Sequence, residues 1–521
     1  MARVKRNRST KFLRLNLPRP WGTASWLWLF SQATPRSPVQ WSKGGWLLAG
    51  FFSVLTIAGL LAGPLMTAAV AQAASAEPPK IDSGDTAWIL TSAALVLFMT
   101  PGLAFFYGGL VRSRNVLNTM MMSLIGMAIV GVTWVLWGYT LSFSVGALQD
   151  GFAQGLEGFI GNLNWLFLNN VAADAPDPIG YGATIPHQVF MVYQMMFAMI
   201  TVGLVSGAIA ERMTFKAFFW FVILWSTFIY CPMAHMVWGK GFLAARGSLD
   251  FAGGTVVHIS SGVSALVAAW VLGSRKDYMI RPIIPHNVPF VLLGVGMLWF
   301  GWFGFNAGSA IAAGALATVA FVATTVSASA GGLAWVLIEW FTRGKPTAIG
   351  LGSGFVAGLV GITPAAGFVT PVAAIAIGAA TAICCFYAVN LKAKWQFDDS
   401  LDTFPVHGVG GTVGAVLTGV FATKAANPAL LQEGLLFGGV PLFLENILAV
   451  VITYILAGVG TFAILKILGS VMSLRVRPQV EDEGLDIHLH GEEAYGASFA
   501  SEIIFAASSP TAEESSNQSA E

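Results

Sequence analysis

The chain has 521 residues, 55% of them hydrophobic and only 10% charged, with a mean hydropathy of +0.70. A soluble domain carries about 25% charged residues and cannot hide this much apolar surface in its own core. The net charge of +1 offers no basic surface for nucleic acid, and three cysteines exclude a disulfide scaffold. An all-α polytopic membrane protein is the class that remains.

In chain order, residues 1–45 form a basic, Pro-containing extension without helical period. Residues 46–76 hold an apolar run, Trp46 to Val70, followed by Ala71-Gln72-Ala73 and Ala74-Ser75-Ala76. A basic n-region, an apolar h-region and small-residue cleavage sites are the layout of a signal peptide; the alternative is a retained helix. From residue 85 to 470 the intervals between successive Asp, Glu, Lys and Arg residues measure the spans. A span needs about 20 apolar residues, and ionisable groups are costly at bilayer depth. Asp85–Arg112, Arg114–Asp150, Asp177–Glu211, Lys216–Lys240 and Asp250–Arg275 each fit one helix. Arg281–Glu339 and Lys345–Lys392 have room for two apiece, and Asp402–Lys424 and Glu445–Lys466 for one each, predicting eleven transmembrane helices. The tail occupies 471–521.

Basic residues mark alternate loops: Arg112/Arg114, Arg212/Lys216, Arg275/Lys276/Arg281, Arg343/Lys345, Lys392/Lys394, and Arg475/Arg477 after the last span. The positive-inside rule puts these in the cytoplasm, with the start of the first span outside after cleavage and the C-terminus inside. The odd count divides as two sets of five plus a final helix. The fifth span carries Gly253-Gly254-Thr255-Val256-Val257-His258 and the tenth His407-Gly408-Val409-Gly410-Gly411, each with an aspartate upstream, Asp250 and Asp402. Five being odd, the second set is inverted relative to the first, an arrangement that places binding sites at the repeat interface of transporters.

His258 and His407 are the ionisable side chains that fall inside spans. Either alone is as readily a buried histidine bonded to a carbonyl; their matching positions favour a facing pair. Two neutral imidazoles share one hydrogen bond and can offer a donor and an acceptor to a small polar molecule, or relay a proton. No third ligand accompanies them, so no metal and no cofactor is expected. Asp250 begins the fifth span and is read first as a helix cap, accepting from the amides of Ala252 to Gly254, and second as a source of negative potential at a cation vestibule. Aromatic clusters near the outer ends of spans, Phe197, Trp238 and Trp302 to Phe305, are interfacial or attract cations by their faces. Ser309 lies four residues beyond Phe305. His187, His235 and His286 are read as structural.

These residues carry a family resemblance. The segment Thr86 to Asn115 with Phe106-Tyr107-Gly108-Gly109-Leu110, DFAGGTVVHI from Asp250 to Ile259, GWFGFNAGS from Gly301 to Ser309, VHGVGG from Val406 to Gly411, and the tail EGLDIHLHGEEAY from Glu483 to Tyr495 resemble the ammonium transporters. The resemblance implies a homotrimer of eleven-helix subunits in the cell's inner membrane, each with its own hydrophobic pore. It implies an outer ammonium recruitment site at Phe197, Trp238 and Ser309, stacked gate phenylalanines at Phe197 and Phe305, and twin pore histidines at His258 and His407. Asp250 corresponds to the family's essential aspartate, and the tail resembles the segment that answers to PII-type regulators. The implied activity is ammonium recruitment, deprotonation and conduction of ammonia, with the proton carried separately. The alternatives are a Rhesus-type neutral gas channel for ammonia or CO2, or an ammonium sensor signalling through a tail-bound partner. An enzyme is not expected, because the span carboxylates and cysteines form no nucleophile–base or metal arrangement.

Overall fold

The computed structural model describes residues 80–495; the basic extension, the signal-peptide or retained-helix segment and the end of the tail lie outside these residues. Among the described residues, ten helices are long and apolar enough to cross a membrane: α1 (Ser83–Leu110), α2 (Ser113–Phe143), α3 (His187–Ile209), α4 (Phe215–Ala245), α5 (Gly254–Leu272), α6 (Val288–Ala310), α7 (Ala315–Arg343), α9 (Pro371–Lys392), α10 (Phe404–Phe421) and α11 (Val440–Val471). Between α7 and α9 lies a shorter apolar helix, α8 (Ala348–Ile362), of 15 residues. Where water is excluded a helix satisfies every backbone group within its own segment, which is why charge-free runs of this length adopt it. Side chains finish the ends: Asp82 accepts from Asp85 N at 2.8 Å, Asn287 from Phe290 N at 2.9 Å and Thr347 from Gly350 N at 2.8 Å.

The loops gather on two faces. On one, the α1–α2, α3–α4, α5–α6 and α9–α10 connections meet in a buried ion network. Glu211 pairs with Arg112 (2.9 Å) and Arg275 (2.8 Å), Arg275 with Asp398 (2.8 Å), and Arg112 with Asp277 (2.9 Å). The tail lies over this network. Val476 N donates to Arg212 O at 2.9 Å and Lys276 N to Glu481 Oε1 at 2.6 Å, while Asp486 accepts from Leu117 N and Asn118 N at the start of α2. Two short helices, α12 (Pro478–Glu483) and α13 (Leu485–His490), shape that tail. On the opposite face, Arg246 pairs with Glu445 (2.6 Å), Phe251 N donates to Pro364 O (3.1 Å) and Thr423 N to Phe368 O (2.9 Å). The residues just after α8 thus bond on the face opposite the tail.

Glu339, taken from the sequence as a boundary between spans, instead lies buried within α7. It accepts from Thr347 N at 2.7 Å and contacts Arg343 at 3.4 Å, and a carboxylate satisfied in this way need not end a helix. At the centre, α1 packs along α6, and α5 crosses α10 at glycines. A Cβ on Gly262 would stand 2.2 Å from Gly408 N, and one on Gly411 2.9 Å from Gly254 O. No side chain fits between these backbones.

Two outcomes follow from this packing. Gly262→Ala is expected to force α5 from α10, with an overpacking cost of about 1–3 kcal/mol, seen as a lower melting temperature in detergent. Glu211→Ala leaves Arg112 and Arg275 without their shared counter-charge, a loss of about 3–5 kcal/mol. Burial alone would raise the Glu211 carboxyl, but Arg275 and Arg112 outweigh it and hold it at about 2. A depressed carboxyl contributes stability fully above its ordinary value near 4.5 and loses it as pH falls toward 2. Melting temperature measured against pH is therefore expected to drop in that window for the wild type, with a smaller drop for Glu211→Ala.

Candidate functional site

The site is built on the way α5 and α10 begin. Each opens with a six-residue π-helical turn, Gly254–Ile259 and Phe404–Val409, and each turn carries a histidine. Such turns widen the helix and recur where function needs a side chain re-aimed. Ahead of α5, Asp250 binds Gly253 N (2.7 Å), Gly254 N (2.6 Å), Thr255 N (2.7 Å) and Val256 N (3.2 Å), and also the Thr255 hydroxyl. The cap expected from the sequence is present, set one to two residues further along than Ala252 to Gly254. Its carboxylate is engaged by these five donors, and Gly253 takes φ 121° to let the chain turn under it.

The counterpart before α10 is Asp399, not the Asp402 suggested by proximity in sequence. Asp250 and Asp399 each stand eight residues ahead of their histidines, 250 to 258 and 399 to 407. Asp399 accepts from Phe404 N at 2.6 Å; Asp402 instead pairs with Lys392. One Asp399 oxygen has no hydrogen-bond partner among the described residues, and burial pushes this carboxyl up.

Antiparallel α5 and α10 bring His258 and His407 face to face: Nδ1 to Nδ1 is 3.2 Å, with ring centroids 5.3 Å apart and planes inclined by 21°. At that distance one Nδ1 must carry the proton and the other accept it. The consequence falls on the far edges of the rings. The ring that donates through Nδ1 keeps an Nε2 lone pair, and the ring that accepts carries an Nε2–H. The pair therefore presents one acceptor and one donor. His258 Nε2 is buried and without a hydrogen-bond partner among the described residues, and both rings line a slot of about 10 Å³ whose other walls are Leu103, Ile200, Leu204, Val257, Trp302 and neighbouring apolar groups. That is about the space one water-sized molecule needs.

Trp302, grouped in sequence with the outer aromatics, lies deeper. It stacks on His258 at 5.4 Å and 23° and donates its Nε1–H to Thr363 Oγ1 at 2.9 Å. Above it Phe197 and Phe305 stack at 4.3 Å and 31°, closing the slot on the face opposite the tail. Phe197 meets Trp238 edge-on at 5.8 Å, and Trp238 Nε1 donates to Asp250 O at 2.9 Å. Phe197, Trp238 and Ser309 all line one vestibule of about 320 Å³ beyond the phenylalanines. A second vestibule of about 300 Å³, lined by Tyr107, Glu339, Arg343, Asp402 and His407, opens on the tail side. The sequence-selected residues are thus brought together in order along one line: Ser309 and Trp238, Phe197 and Phe305, His258, His407. Asp250 stands beside this line rather than in it.

The three histidines read as structural hold neighbouring segments together. His187 Nε2 lies 2.7 Å from Tyr139 Oη, His235 bridges Ser142 O and Glu157 O, and His286 bridges Val111 O and Tyr495 Oη. Sequence reasoning missed Asp399, for which the repeated eight-residue spacing was the available signal. It also missed Tyr193, whose hydroxyl donates to Gly304 O at 2.8 Å and lies 3.3 Å from Ser309 Oγ, and Thr363, for which the sequence offers none.

Comparison with known proteins adds a separate line of evidence. A model of the Ammonium Transporter Family matches residues 87–495. An ammonium transporter of Bacillus subtilis is 48% identical over 413 residues, 79% of this chain and 98% of the relative. The crystal structure of Saccharomyces cerevisiae Mep2 superposes with a TM-score of 0.71 at 36% identity, covering 76% of this chain and 88% of that one. A "Sensor Amt Protein" superposes at 0.70 with 29% identity, over 78% and 98%. With a family match across most of the chain, a transporter relative matched over nearly its whole length and a bundle of helices able to cross a membrane, this multi-pass membrane protein belongs to the Ammonium Transporter Family.

Proposed function

We propose that the chain recruits ammonium in the vestibule lined by Phe197, Trp238 and Ser309, strips its proton, and passes ammonia through the His258–His407 slot. The observation that carries this reading is the slot itself: apolar walls, room for one small molecule, and a histidine pair offering one donor and one acceptor. A bare cation in such a space loses its water and finds no compensating charge. Ammonium can yield a proton and enter neutral, whereas potassium cannot. The Phe197–Phe305 stack is the gate that separates hydrated vestibule from dry slot. The histidine pair stabilises ammonia by accepting from it and donating to it, and its shared proton supplies one link of a separate proton path. Asp250 serves this site by fixing the opening of α5, and with it His258.

The wider assembly is proposed on the same footing. α8 is the eleventh span, supported by ends that bond to opposite faces. Its 15 helical residues extend about 22 Å at 1.5 Å each, and the turns after it complete the crossing. Helices α1–α5 and α6–α10 form the inverted repeat, supported by the α1–α6 and α5–α10 pairings and the shared Asp-to-His spacing. The tail face is cytoplasmic on the evidence of its arginines and lysines. The subunit assembles as a homotrimer in the inner membrane, with the tail as the surface for a PII-type regulator. Cation recruitment is favoured over neutral gas passage by the acceptor and aromatic faces of the outer vestibule.

Purified protein on solid-supported membranes is expected to give charge movement with ammonium pulses and none with potassium. Ammonia permeation without charge movement would favour the gas channel. His258→Ala or His407→Ala is expected to lower the ammonium current by at least about tenfold or admit potassium; unaltered current and selectivity in both variants would sink the role of the pair. Asp250→Ala frees four amides and a hydroxyl and is expected to abolish current together with much of the folded protein. Asp399→Ala removes a smaller cap, about 1–2 kcal/mol, and is expected to leave a folded transporter, as judged by size-exclusion profile and residual current.

A further inference from the structure

We propose that Gln194 supplies the outer vestibule with a hydrogen-bond acceptor for the recruited cation and thereby sets its preference among cations by their N–H donors. This rests on the recruitment reading above and adds a residue to it. Gln194 lies three residues before Phe197 on α3, so the two share a face of the helix. It lines the same 320 Å³ vestibule as Phe197, Trp238 and Ser309. The residue is 8% exposed, and its Oε1 is buried without a hydrogen-bond partner among the described residues. Buried acceptors in folded proteins are almost always paired, and an unpaired one at the wall of a cavity calls for a donor from the cavity's occupant.

The neighbouring groups show what kind of occupant that is. The hydroxyl proton of Tyr193 goes to Gly304 O at 2.8 Å, that of Ser309 to Phe305 O at 2.8 Å, and the indole N–H of Trp238 to Asp250 O at 2.9 Å. With those protons committed, Ser309 Oγ, Phe197 and Trp238 present a lone pair and ring faces, and Gln194 brings an amide whose oxygen is unpaired among the described residues, beside its own NH2 donors. Such a wall suits a cation that carries N–H donors. Lys240 lines the same vestibule and adds a repulsive charge, so the cation needs compensation from these acceptors. Ammonium has four N–H bonds to offer, methylammonium three and potassium none. An amide carbonyl, unlike a carboxylate, binds without holding a counter-charge that would retain the cation before deprotonation.

The test measures half-saturating concentrations for ammonium and methylammonium currents in reconstituted wild type, Gln194→Leu, Gln194→Met and Gln194→Glu. Both apolar variants are expected to raise the ammonium constant about tenfold, the loss of one bond to a charged donor. Maximal current should stay within about twofold, as for removal of uniform binding. The ratio of the methylammonium to the ammonium constant should shrink. Gln194→Glu is expected to lower the ammonium constant and reduce maximal current. Unchanged constants in the apolar variants would overturn the inference, as would a rise of the same factor for both cations, which is the signature of altered packing. The two apolar shapes guard against a single substitution that fails to fold. Wild-type protein without ammonium current would overturn the transport reading and this inference with it, whereas wild-type current with unshifted variants overturns this inference alone.

Discussion

Desolvation governs this molecule. Across the thickness of a bilayer no water is available to complete a hydrogen bond or surround a charge, so each polar group must find a partner within the protein or stay outside. The helices obey this by closing their own backbone bonds. The arginines and carboxylates obey it by collecting at the two faces, where Glu211, Arg275 and Asp398 satisfy one another. In the proposed transport the slot at His258 and His407 turns the same constraint toward the substrate: whatever enters must be neutral or be compensated on the way. On that proposal, architecture and selectivity are one requirement applied to two objects, the chain and its cargo.

That requirement explains why the centre of the fold is a crossing of helix beginnings. A helix that starts inside the membrane exposes amides with no partner in the preceding turn. Asp250 answers four of them before α5, and Asp399 answers Phe404 N before α10. With the ends capped, the π-helical turns can turn His258 and His407 inward. The glycines at 254, 262, 408 and 411 then let the two backbones approach until the rings meet at 3.2 Å. Caps, turns and glycines each place the pair by a different means. The stronger cap belongs to the helix whose histidine lies deepest between aromatic rings.

Much of this was legible in the sequence because charge is so costly at depth. Intervals between ionisable residues located the long helices, and two histidines that broke the rule marked the slot. The same logic failed where a charge is compensated. Glu339 sits inside α7 because Thr347 and Arg343 satisfy it, and no interval count can see a partner that folding brings in. Proximity misled twice more. Asp402 is nearer His407 than Asp399 is, but the loop needs those extra residues to carry the chain from cap to turn. Trp302 is three residues from Phe305, but α6 runs from the tail face outward, so three residues are about 4.5 Å of depth. That difference moves Trp302 from the vestibule to the histidine.

The proposed path also has a chemical gradient that no single residue states. In the outer vestibule the protein offers lone pairs and ring faces, which suit a cation rich in donors. At the histidine pair it offers one donor and one acceptor, which suit neutral ammonia, able to accept one bond and donate another. Between them stand two phenylalanines, 4.3 Å apart, that offer neither. A cation crossing that stack exchanges acceptors for ring faces alone, while a molecule that has shed its proton gives up less and then gains a donor it could not have used before. On the proposed path the proton is therefore favoured to leave on the vestibule side of the rings, where acceptors are plentiful. Potassium has no proton to shed, and the same acceptors that would cradle it outside give it no reason to leave them.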